Sequence, residues 1–235
     1  MQPSPNNYNS SNNNMKLIDK TLNLIAANDC LSCGLEGDLI CGTCKADFCI
    51  ALPSRCYICK RLTRDFAVCS NCRQRSRINN VWVAADYSQN VKKLVYELKY
   101  KSNRSAASAV GSFLCQTLPL MPRDTVVVNI PTATKRVRVR GFDHSKALAA
   151  YVASKKGLRY INLLARTGQS RQVGSNRKNR LSQLSGAFLY KNDLIPERVL
   201  LIDDIVTTGA TLESAAKELK QNGVKKVYAL VFAQK

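Results

Sequence analysis

The chain has 235 residues, of which 45% are hydrophobic, enough for one domain with a sizeable core and a further small module. No apolar run approaches the length of about 18 residues that a membrane-spanning helix requires, and the N-terminal residues lack a secretory signal, which predicts a cytoplasmic protein. Thirty-six Lys and Arg against 16 Asp and Glu give a net charge of +20, a surplus that attracts anionic ligands such as nucleic acid or polyphosphate.

Cysteines dominate the N-terminal third of the chain. Residues 1–14 are polar and predict a disordered tail. The next segment, residues 15–76, predicts a double zinc-ribbon module because it holds eight of the ten cysteines in four Cys-x-x-Cys pairs. The four pairs are Cys30/Cys33, Cys41/Cys44, Cys56/Cys59 and Cys69/Cys72. Their spacing predicts two short ribbons, the first from Cys30 to Cys44 and the second from Cys56 to Cys72.

The spacing within the pairs favours metal binding. Two thiolates three positions apart can hold one face of a metal ion, and two such turns complete a tetrahedron. Disulfides are disfavoured in a chain without an export signal, and a redox Cys-x-x-Cys would normally occur once, at the start of a helix. We therefore predict two Zn²⁺ sites, both structural because four sulfur ligands leave no open position for water. Cys49, between the ribbons, is expected not to be a ligand.

The remaining residues, 77–235, alternate strand patterns with helix patterns. The predicted strands are 81–87, 126–130, 160–164, 187–190, 199–202 and 227–232, and the predicted helices are 91–100, 105–118, 141–156 and one that starts near Leu212. This alternation predicts an α/β domain with a parallel sheet covered on both faces. Residues 167–180 are basic and aperiodic, which predicts a mobile loop. Ligands of such sheets bind at the carboxyl ends of the strands.

Residues 199–211 carry the most informative motif. A short apolar run ends in two adjacent acids, Asp203 and Asp204, and is followed by Thr207-Thr208-Gly209-Ala210-Thr211 and a helix. A turn with free N–H groups at a helix N-terminus is an anion site, and Gly209 lets the backbone approach an oxyanion closely. Carboxylates accept hydroxyl hydrogens, so the motif suits a ligand with both a phosphate and a vicinal diol.

In this order the residues resemble the phosphoribosyl pyrophosphate (PRPP) loop of type I phosphoribosyltransferases. The resemblance implies a type I phosphoribosyltransferase-like domain over residues 77–235 that binds PRPP. The implied PRPP-binding residues of the loop are Asp203, Asp204, Val206, Thr207, Thr208, Gly209, Ala210 and Thr211. The alternative is a helix-capping turn with solvated acids, but a cap needs one acid or hydroxyl rather than this ordered set.

A wider set of motifs resembles ComF-type competence proteins, which are phosphoribosyltransferase-like proteins associated with bacterial DNA uptake. The resemblance covers about residues 28–235 and includes the paired Cys-x-x-Cys motifs, Leu98-Lys99-Tyr100, Arg136-x-Arg138-x-Arg140-Gly141-Phe142, Gln172, Arg177, Arg180 and Gly186-Ala187-Phe188. The chain departs from the family's usual Gly-Phe-Asn-Gln, because Asp143 and His144 follow Phe142, and Gln183 stands where Asn is common. We predict that His144, the single histidine, is structural or faces a helix.

The resemblance also implies roles for individual residues. Asp203, Asp204 and Arg136 would be catalytic. The segment from Pro131 to Arg136 follows a strand, as the pyrophosphate loop of type I enzymes does, so Lys135 and Arg136 would neutralise the diphosphate, with Mg²⁺ bridging it to the ribose hydroxyls. The loop 167–180 resembles the flexible lid of these enzymes, with candidate clamps Arg171, Arg177 and Arg180. The alternative for each single arginine is a solvated surface charge.

Two functions fit these features. One is a PRPP-binding accessory protein of DNA import in natural transformation, with single-stranded DNA and proteins of the uptake machinery as partners. The other is an active phosphoribosyltransferase in nucleobase salvage or related nucleotide metabolism, with an acceptor that the residues do not identify. A third class, a zinc-ribbon DNA-binding regulator, would leave the PRPP loop unused, and the sequence has no helix-turn-helix or RNA-recognition signature.

Overall fold

The computed structural model describes residues 28–48, 52–101, 103–167 and 187–235, with the exception of the side chains of Asp47 and Lys135. The predicted tail, Cys49 and most of the predicted lid, including Arg171, Arg177 and Arg180, lie outside the described residues. The chain forms two compact units, one ending at Lys45 and the other beginning at Ala46. The domain boundary proposed at residue 76 stays a prediction.

The smaller unit contains the first cysteine cluster. Strands β1 (Asn28–Asp29) and β2 (Glu36–Gly37) form an antiparallel pair on either side of the Cys30/Cys33 turn. The Cys30 carbonyl accepts a hydrogen bond of 2.8 Å from the Gly34 N–H, which closes this turn. A short helix, α1 (Lys45–Phe48), follows the Cys41/Cys44 turn and begins at the last residue of this unit. Within residues 28–45, the part of this unit that the structure describes, there is little regular structure beyond the segments that present its four sulfur atoms.

The larger unit is an α/β domain. Its strands are β3 (Val81–Asp86), β4 (Thr125–Asn129), β5 (Arg159–Tyr160), β6 (Leu164–Arg166), β7 (Phe188–Tyr190), β8 (Arg198–Val206) and β9 (Lys226–Gln234). Its helices are α2 (Ser70–Arg73), α3 (Gln89–Tyr100), α4 (Arg104–Thr117), α5 (Thr134–Arg140), α6 (His144–Lys156) and α7 (Ala210–Gln221). Five strands form a parallel sheet in the order β3-β9-β8-β4-β5, which confirms the predicted fold class.

Burial explains why the central strands are almost entirely apolar. Every residue of β4 is buried, and β8 is buried without interruption from Val199 to Ile202, because helices cover both faces of a parallel sheet. The helix α3 buries Val91, Leu94, Val95 and Leu98, the positions at which the sequence shows helical periodicity. Among the described residues, no helix is both long and apolar enough to cross a membrane.

The order of the strands creates a crevice between β4 and β8. These strands are neighbours, with Asn129 paired to Ile202, but the chain leaves β4 towards β5 and leaves β8 towards β9, on opposite sides. Such a switch in direction opens a crevice at the carboxyl ends of the two strands. The segments that follow Asn129 and Asp204 therefore face one another across the edge of the sheet.

Two predicted elements differ in the structure, because helix 141–156 begins only at His144 and strand 160–164 is two separate strands. The predicted helix 141–156 is preceded by α5, and Gly141 separates α5 from α6 with a left-handed φ of 77° that glycine adopts without steric cost. The predicted strand 160–164 is also two elements. Residues Arg159 and Tyr160 form β5 in the main sheet, whereas β6, directly before the predicted lid, pairs antiparallel with β7 in a separate ribbon.

Candidate functional site

Each cysteine cluster brings four sulfur atoms together. Cys30, Cys33, Cys41 and Cys44 form one cluster, Cys56, Cys59, Cys69 and Cys72 form the other, and within each the sulfurs all lie within 4.8 Å of one another. The Sγ atoms of Cys33 and Cys41 are 3.7 Å apart, and those of Cys59 and Cys69 are 3.6 Å apart. Four thiolates around a tetrahedral zinc at about 2.3 Å are separated by about 3.8 Å, so both clusters fit Zn²⁺.

The thiols of the second cluster differ in how readily they ionise. Burial tends to raise the pKa of Cys56, but N–H groups of Cys59 and Cys69 outweigh this effect and lower it to about 7. Burial and hydrogen bonding to Cys69 raise the pKa of Cys72 to about 12. A divalent cation bound to this cluster would hold its four sulfur atoms as thiolates.

We expect purified protein to contain about two zinc ions per chain, and Cys33→Ser and Cys59→Ser each to lower this to about one, because each removes a ligand from a different cluster. Both cysteines are exposed, so neither change opens a core cavity. Metal analysis by mass spectrometry measures the content. The control is Cys115→Ala, which belongs to neither cluster and should keep both ions. Zinc-free protein with disulfides between the pairs would refute the assignment.

The two adjacent acids at the end of β8 have different environments. Asp203 is half-buried, and its Oδ1 accepts a hydrogen bond of 2.9 Å from the Asp204 N–H. The Asp204 side chain is only 7% exposed, and its Oδ2 lies 2.7 Å from Lys99 Nζ and 2.9 Å from His144 Nε2. Asp204 is thus an internal anchor between β8, α3 and α6, and Asp203 is the acid that remains more accessible to a ligand.

These environments move the two pKa values in opposite directions. Burial, and then the neighbouring negative charge of Asp204, raise the pKa of Asp203 to about 7. Burial also tends to raise the pKa of Asp204, but the hydrogen bond from His144 and the charge of Lys99 outweigh it and lower the pKa to about 2. Asp204 is therefore ionised throughout the neutral range, whereas Asp203 gains or loses a proton within it.

His144 has a partner that the sequence did not indicate. The ring is buried, and its Nδ1 lies 3.4 Å from the Arg140 guanidinium, which can only donate hydrogen bonds. The ring hydrogen consequently sits on Nε2 and is donated to Asp204. The sequence predicted a structural role for His144 but did not identify this partner, because Asp204 lies 60 positions further along the chain.

Asp143, the other departure from the family motif, organises the adjacent loop. Its Oδ1 accepts hydrogen bonds from the N–H groups of Ser145 and Lys146, which makes it the N-cap of α6. The same oxygen accepts a hydrogen bond of 3.1 Å from the Thr132 hydroxyl, in the loop that follows β4. Asp143 therefore connects the start of α6 to the predicted pyrophosphate loop.

The segment after β8 forms the predicted phosphate turn, residues 207–211. The strand continues through Val206, so both acids lie within it rather than after it. Gly209 has a φ of 74° and is the N-cap of α7, and the Thr208 hydroxyl accepts a hydrogen bond of 3.3 Å from the Ala210 N–H. The N–H groups in the first turn of a helix have no intrahelical acceptors, so this turn can bind an oxyanion.

The segment after β4 supplies positive charge on the other side of the crevice. The predicted pyrophosphate loop is short because α5 begins at Thr134, and Arg136 is exposed within its first turn. The Lys135 side chain lies outside the described residues. Arg166, in β6, donates a hydrogen bond of 3.3 Å to the Pro131 carbonyl. It therefore connects the base of the predicted lid to this loop, a contact that the sequence did not predict.

We expect His144→Ala to lower the free energy of unfolding by about 1.5–3 kcal/mol, because it removes a hydrogen bond to a buried charged group. His144→Gln should lose less, since its amide can still donate to Asp204. Urea denaturation of both variants, and of each in an Asp204→Asn background, measures the coupling. If His144→Ala costs the same in both backgrounds, the two side chains do not stabilise each other.

Comparisons with known proteins agree with this architecture. The family described as "Phosphoribosyl transferase domain" matches residues 145–235. The chain is 31% identical over 147 residues to the competence protein ComFC of Streptococcus pneumoniae, covering 62% of this chain and 64% of that protein. It is 24% identical over 217 residues to the DNA utilization protein YhgH of Salmonella typhi, covering 80% of this chain and 93% of that protein.

Further similarity extends to another competence protein and to a solved structure. The identity to ComFC of Bacillus subtilis is 25% over 193 residues, covering 78% of this chain and 79% of that protein. A structure described as the allosteric regulatory enzyme of purine biosynthesis superposes on 58% of this chain and 29% of its own, with 19% identity and a TM-score of 0.41.

Proposed function

We propose that this chain is a ComF-type protein with a phosphoribosyltransferase domain, and that it binds PRPP with Mg²⁺ in the crevice between β4 and β8. The observation that carries the proposal is the continuity of β8 with the phosphate turn. The strand carries a half-buried carboxylate, Asp203, a few residues before a turn at a helix N-terminus, where an oxyanion would bind. A ribose 5-phosphate carries both a diol and a phosphate in one molecule.

Each part of the ligand has a proposed protein partner. The turn 207–211 would bind the 5-phosphate through its N–H groups and threonine hydroxyls. Asp203, when ionised, would accept the hydrogens of both ribose hydroxyls. Arg136 and Lys135, at the start of α5, would neutralise the diphosphate across the crevice. Hard cations prefer oxygen ligands, which the diphosphate and ribose themselves supply, so Mg²⁺ would add charge neutralisation with few protein ligands.

Asp204 has a positioning role in this proposal. Its buried carboxylate contacts Lys99 and His144 rather than open solvent, so it orients β8 and lowers the probability that Asp203 ionises without a ligand. Transfer of the phosphoribosyl group to an acceptor would need the lid arginines, Arg171, Arg177 and Arg180, as clamps on the pyrophosphate. The two candidate activities, PRPP binding alone and transfer to an acceptor base, therefore share the crevice.

We expect Asp203→Asn to weaken binding of Mg-PRPP at least tenfold, because an amide accepts fewer ribose hydroxyl hydrogens than a carboxylate. Isothermal titration calorimetry measures the affinity, and pyrophosphate release with and without candidate bases separates binding from transfer. Asp203 is suited to this test, whereas Asp204→Asn would also disturb the buried contacts with Lys99 and His144. Unchanged affinity in Asp203→Asn would contradict the proposed contact with the diol.

The pH dependence supplies a matched control. The pKa of Asp203 is raised to about 7, so the free protein must release a proton before the carboxylate can accept two hydroxyl hydrogens. Affinity for Mg-PRPP should therefore rise between pH 6 and 8 and level off above the pKa. The phosphates of PRPP titrate in the same pH range, and their effect on affinity is the same in Asp203→Asn. The affinity of this variant should therefore change less with pH than that of the parent protein. Parallel profiles for both proteins would exclude Asp203 as the titrating group.

A second proposed function is binding of single-stranded DNA, since relatives carry the names competence protein and DNA utilization protein. A specific observation supports it. Tyr96 and Tyr100 are 54% and 60% exposed on α3, with ring centroids 5.1 Å apart. The Arg140 guanidinium lies 5.0 Å from the Tyr100 ring centroid. Exposed aromatic rings beside cationic groups are typical of surfaces on which bases of single strands stack.

We expect Tyr96→Ala/Tyr100→Ala to weaken binding of an oligothymidine in gel-shift assays about five- to tenfold at low salt, with little change in the salt dependence, because stacking releases no counterions. The contrasting variant replaces four exposed arginines within or just after the second cysteine cluster by alanine, namely Arg61, Arg64, Arg75 and Arg77. It should reduce the salt dependence of binding instead, because fewer phosphates are neutralised. Arg73 is retained because it donates to the Ile78 carbonyl. An absence of binding at low salt would refute the DNA proposal.

A further inference from the structure

The second cysteine cluster is in direct contact with the phosphate turn. Tyr57 lies between Cys56 and Cys59 in one of the two turns that form this cluster, and its side chain is buried. Its ring packs against Gly209 so closely that a Cβ atom at position 209 would lie 2.4 Å from Tyr57 Cε2. Glycine at this position is therefore required by the tyrosine as well as by the positive φ.

The same tyrosine is hydrogen-bonded to the helix that follows the phosphate turn. Its hydroxyl donates to Glu213 Oε1, in the first turn of α7, and the Glu213 N–H donates to the Gly209 carbonyl at 2.9 Å. Tyr57 thus contacts both sides of the turn, through the ring at Gly209 and through the hydroxyl at Glu213.

Glu213 also accepts two further hydrogen bonds from the cysteine segment. The Ser76 hydroxyl donates to Oε1, and the Arg77 N–H donates to Oε2 at 2.9 Å. These donors follow Cys72, the last ligand of the second cluster, whereas Tyr57 follows its first ligand, Cys56. The Glu213 carboxylate on α7 therefore accepts hydrogen bonds from residues near the first ligand and near the last ligand of the second cluster.

The cysteine turn determines where Tyr57 points. The Cys56 carbonyl accepts a hydrogen bond of 2.8 Å from the Lys60 N–H, and the Cys56 N–H donates to the Arg61 carbonyl at 2.8 Å. On the other side, the Tyr57 carbonyl accepts a hydrogen bond of 3.0 Å from the Gln234 side chain at the end of β9. A metal ion held by Cys56 and Cys59 would lock this turn, because it fixes the two residues that flank Tyr57 and Ile58.

We propose that Tyr57 is a positioning residue for the phosphate turn, and that it makes anion binding by residues 207–211 depend on the metal in the second cluster but not on the metal in the first. The proposal rests on the proposed function for the identity of the anion, a 5-phosphate, but its structural part does not. If the second cluster loses its metal, Cys56 and Cys59 are released, Tyr57 no longer fills the space beside Gly209, and the turn becomes more mobile.

Hydrogen exchange tests the structural part directly. Mass spectrometry should show amide exchange in peptides covering residues 205–216 at least fivefold faster in Tyr57→Ala and in Cys59→Ser than in the parent protein. Tyr57→Phe keeps the ring against Gly209 and loses only the hydrogen bond to Glu213, so its effect should be smaller and in the same direction. Cys33→Ser is the matched control, because it removes an exposed ligand of the first cluster and should leave this exchange unchanged.

Ligand binding provides the second readout. Calorimetry with ribose 5-phosphate should give affinities about tenfold weaker for Tyr57→Ala and Cys59→Ser, about threefold weaker for Tyr57→Phe, and unchanged for Cys33→Ser. Zinc content is measured on the same samples, and Tyr57→Phe should retain both ions.

The possible outcomes separate the two proposals. If the parent protein does not bind ribose 5-phosphate but the exchange pattern is as expected, the proposed ligand is wrong and the positioning role stands. If exchange at residues 205–216 is unchanged in Tyr57→Phe and Cys59→Ser, the positioning role is overturned whatever binds. Should Tyr57→Ala fail to fold, the comparison of Tyr57→Phe with Cys33→Ser still decides the question.

Discussion

A buried carboxylate organises this domain. Asp204 is placed inside the protein by β8, and a charged group removed from water is costly unless other groups compensate for its lost hydration. Lys99 at the end of α3 and His144 at the start of α6 provide that compensation at 2.7 and 2.9 Å. Three segments that are distant in sequence must therefore meet at one atom, and the carboxyl end of β8 has a defined position as a result.

The consequences of that contact extend to both sides of the crevice. His144 also contacts Arg140, and the residue before it, Asp143, caps α6 and bonds to Thr132 in the loop after β4. The loop on one side of the crevice and the strand on the other are thus connected through two consecutive residues at the start of a single helix. Preorganised polar groups of this kind stabilise charge on a ligand without further rearrangement.

Local patterns in the sequence were sufficient for the fold class, the cysteine clusters and the turn after β8. Helical periodicity depends only on neighbours along one helix, as at Val91, Leu94, Val95 and Leu98. The spacing of the cysteines within each Cys-x-x-Cys pair is likewise visible in a short stretch of sequence. The helix α5, which ends before Gly141, was not predicted, and neither was the pairing of β6 with β7, which depends on tertiary contacts. The partners of Asp204 were not predictable either, because proximity of Lys99 and His144 arises only when the sheet forms. The roles of the predicted site residues remain predictions.

The phosphate turn, residues 207–211, is not held by the contacts of Asp204 themselves. Its conformation depends on the residues that pack around it. On its N-terminal side, Asp204 fixes the strand from within the core, and on its C-terminal side Glu213 receives donors from Tyr57, Ser76 and Arg77. Between the two carboxylates lies a short stretch centred on Gly209, the residue type with the greatest backbone freedom. A turn of this kind binds an anion well only if its N–H groups are already aligned, since alignment at the time of binding costs conformational entropy. The cysteine segment that packs on Gly209 limits this freedom from outside the sheet, and this contact is the basis of the proposed link between the second cluster and anion binding by the turn.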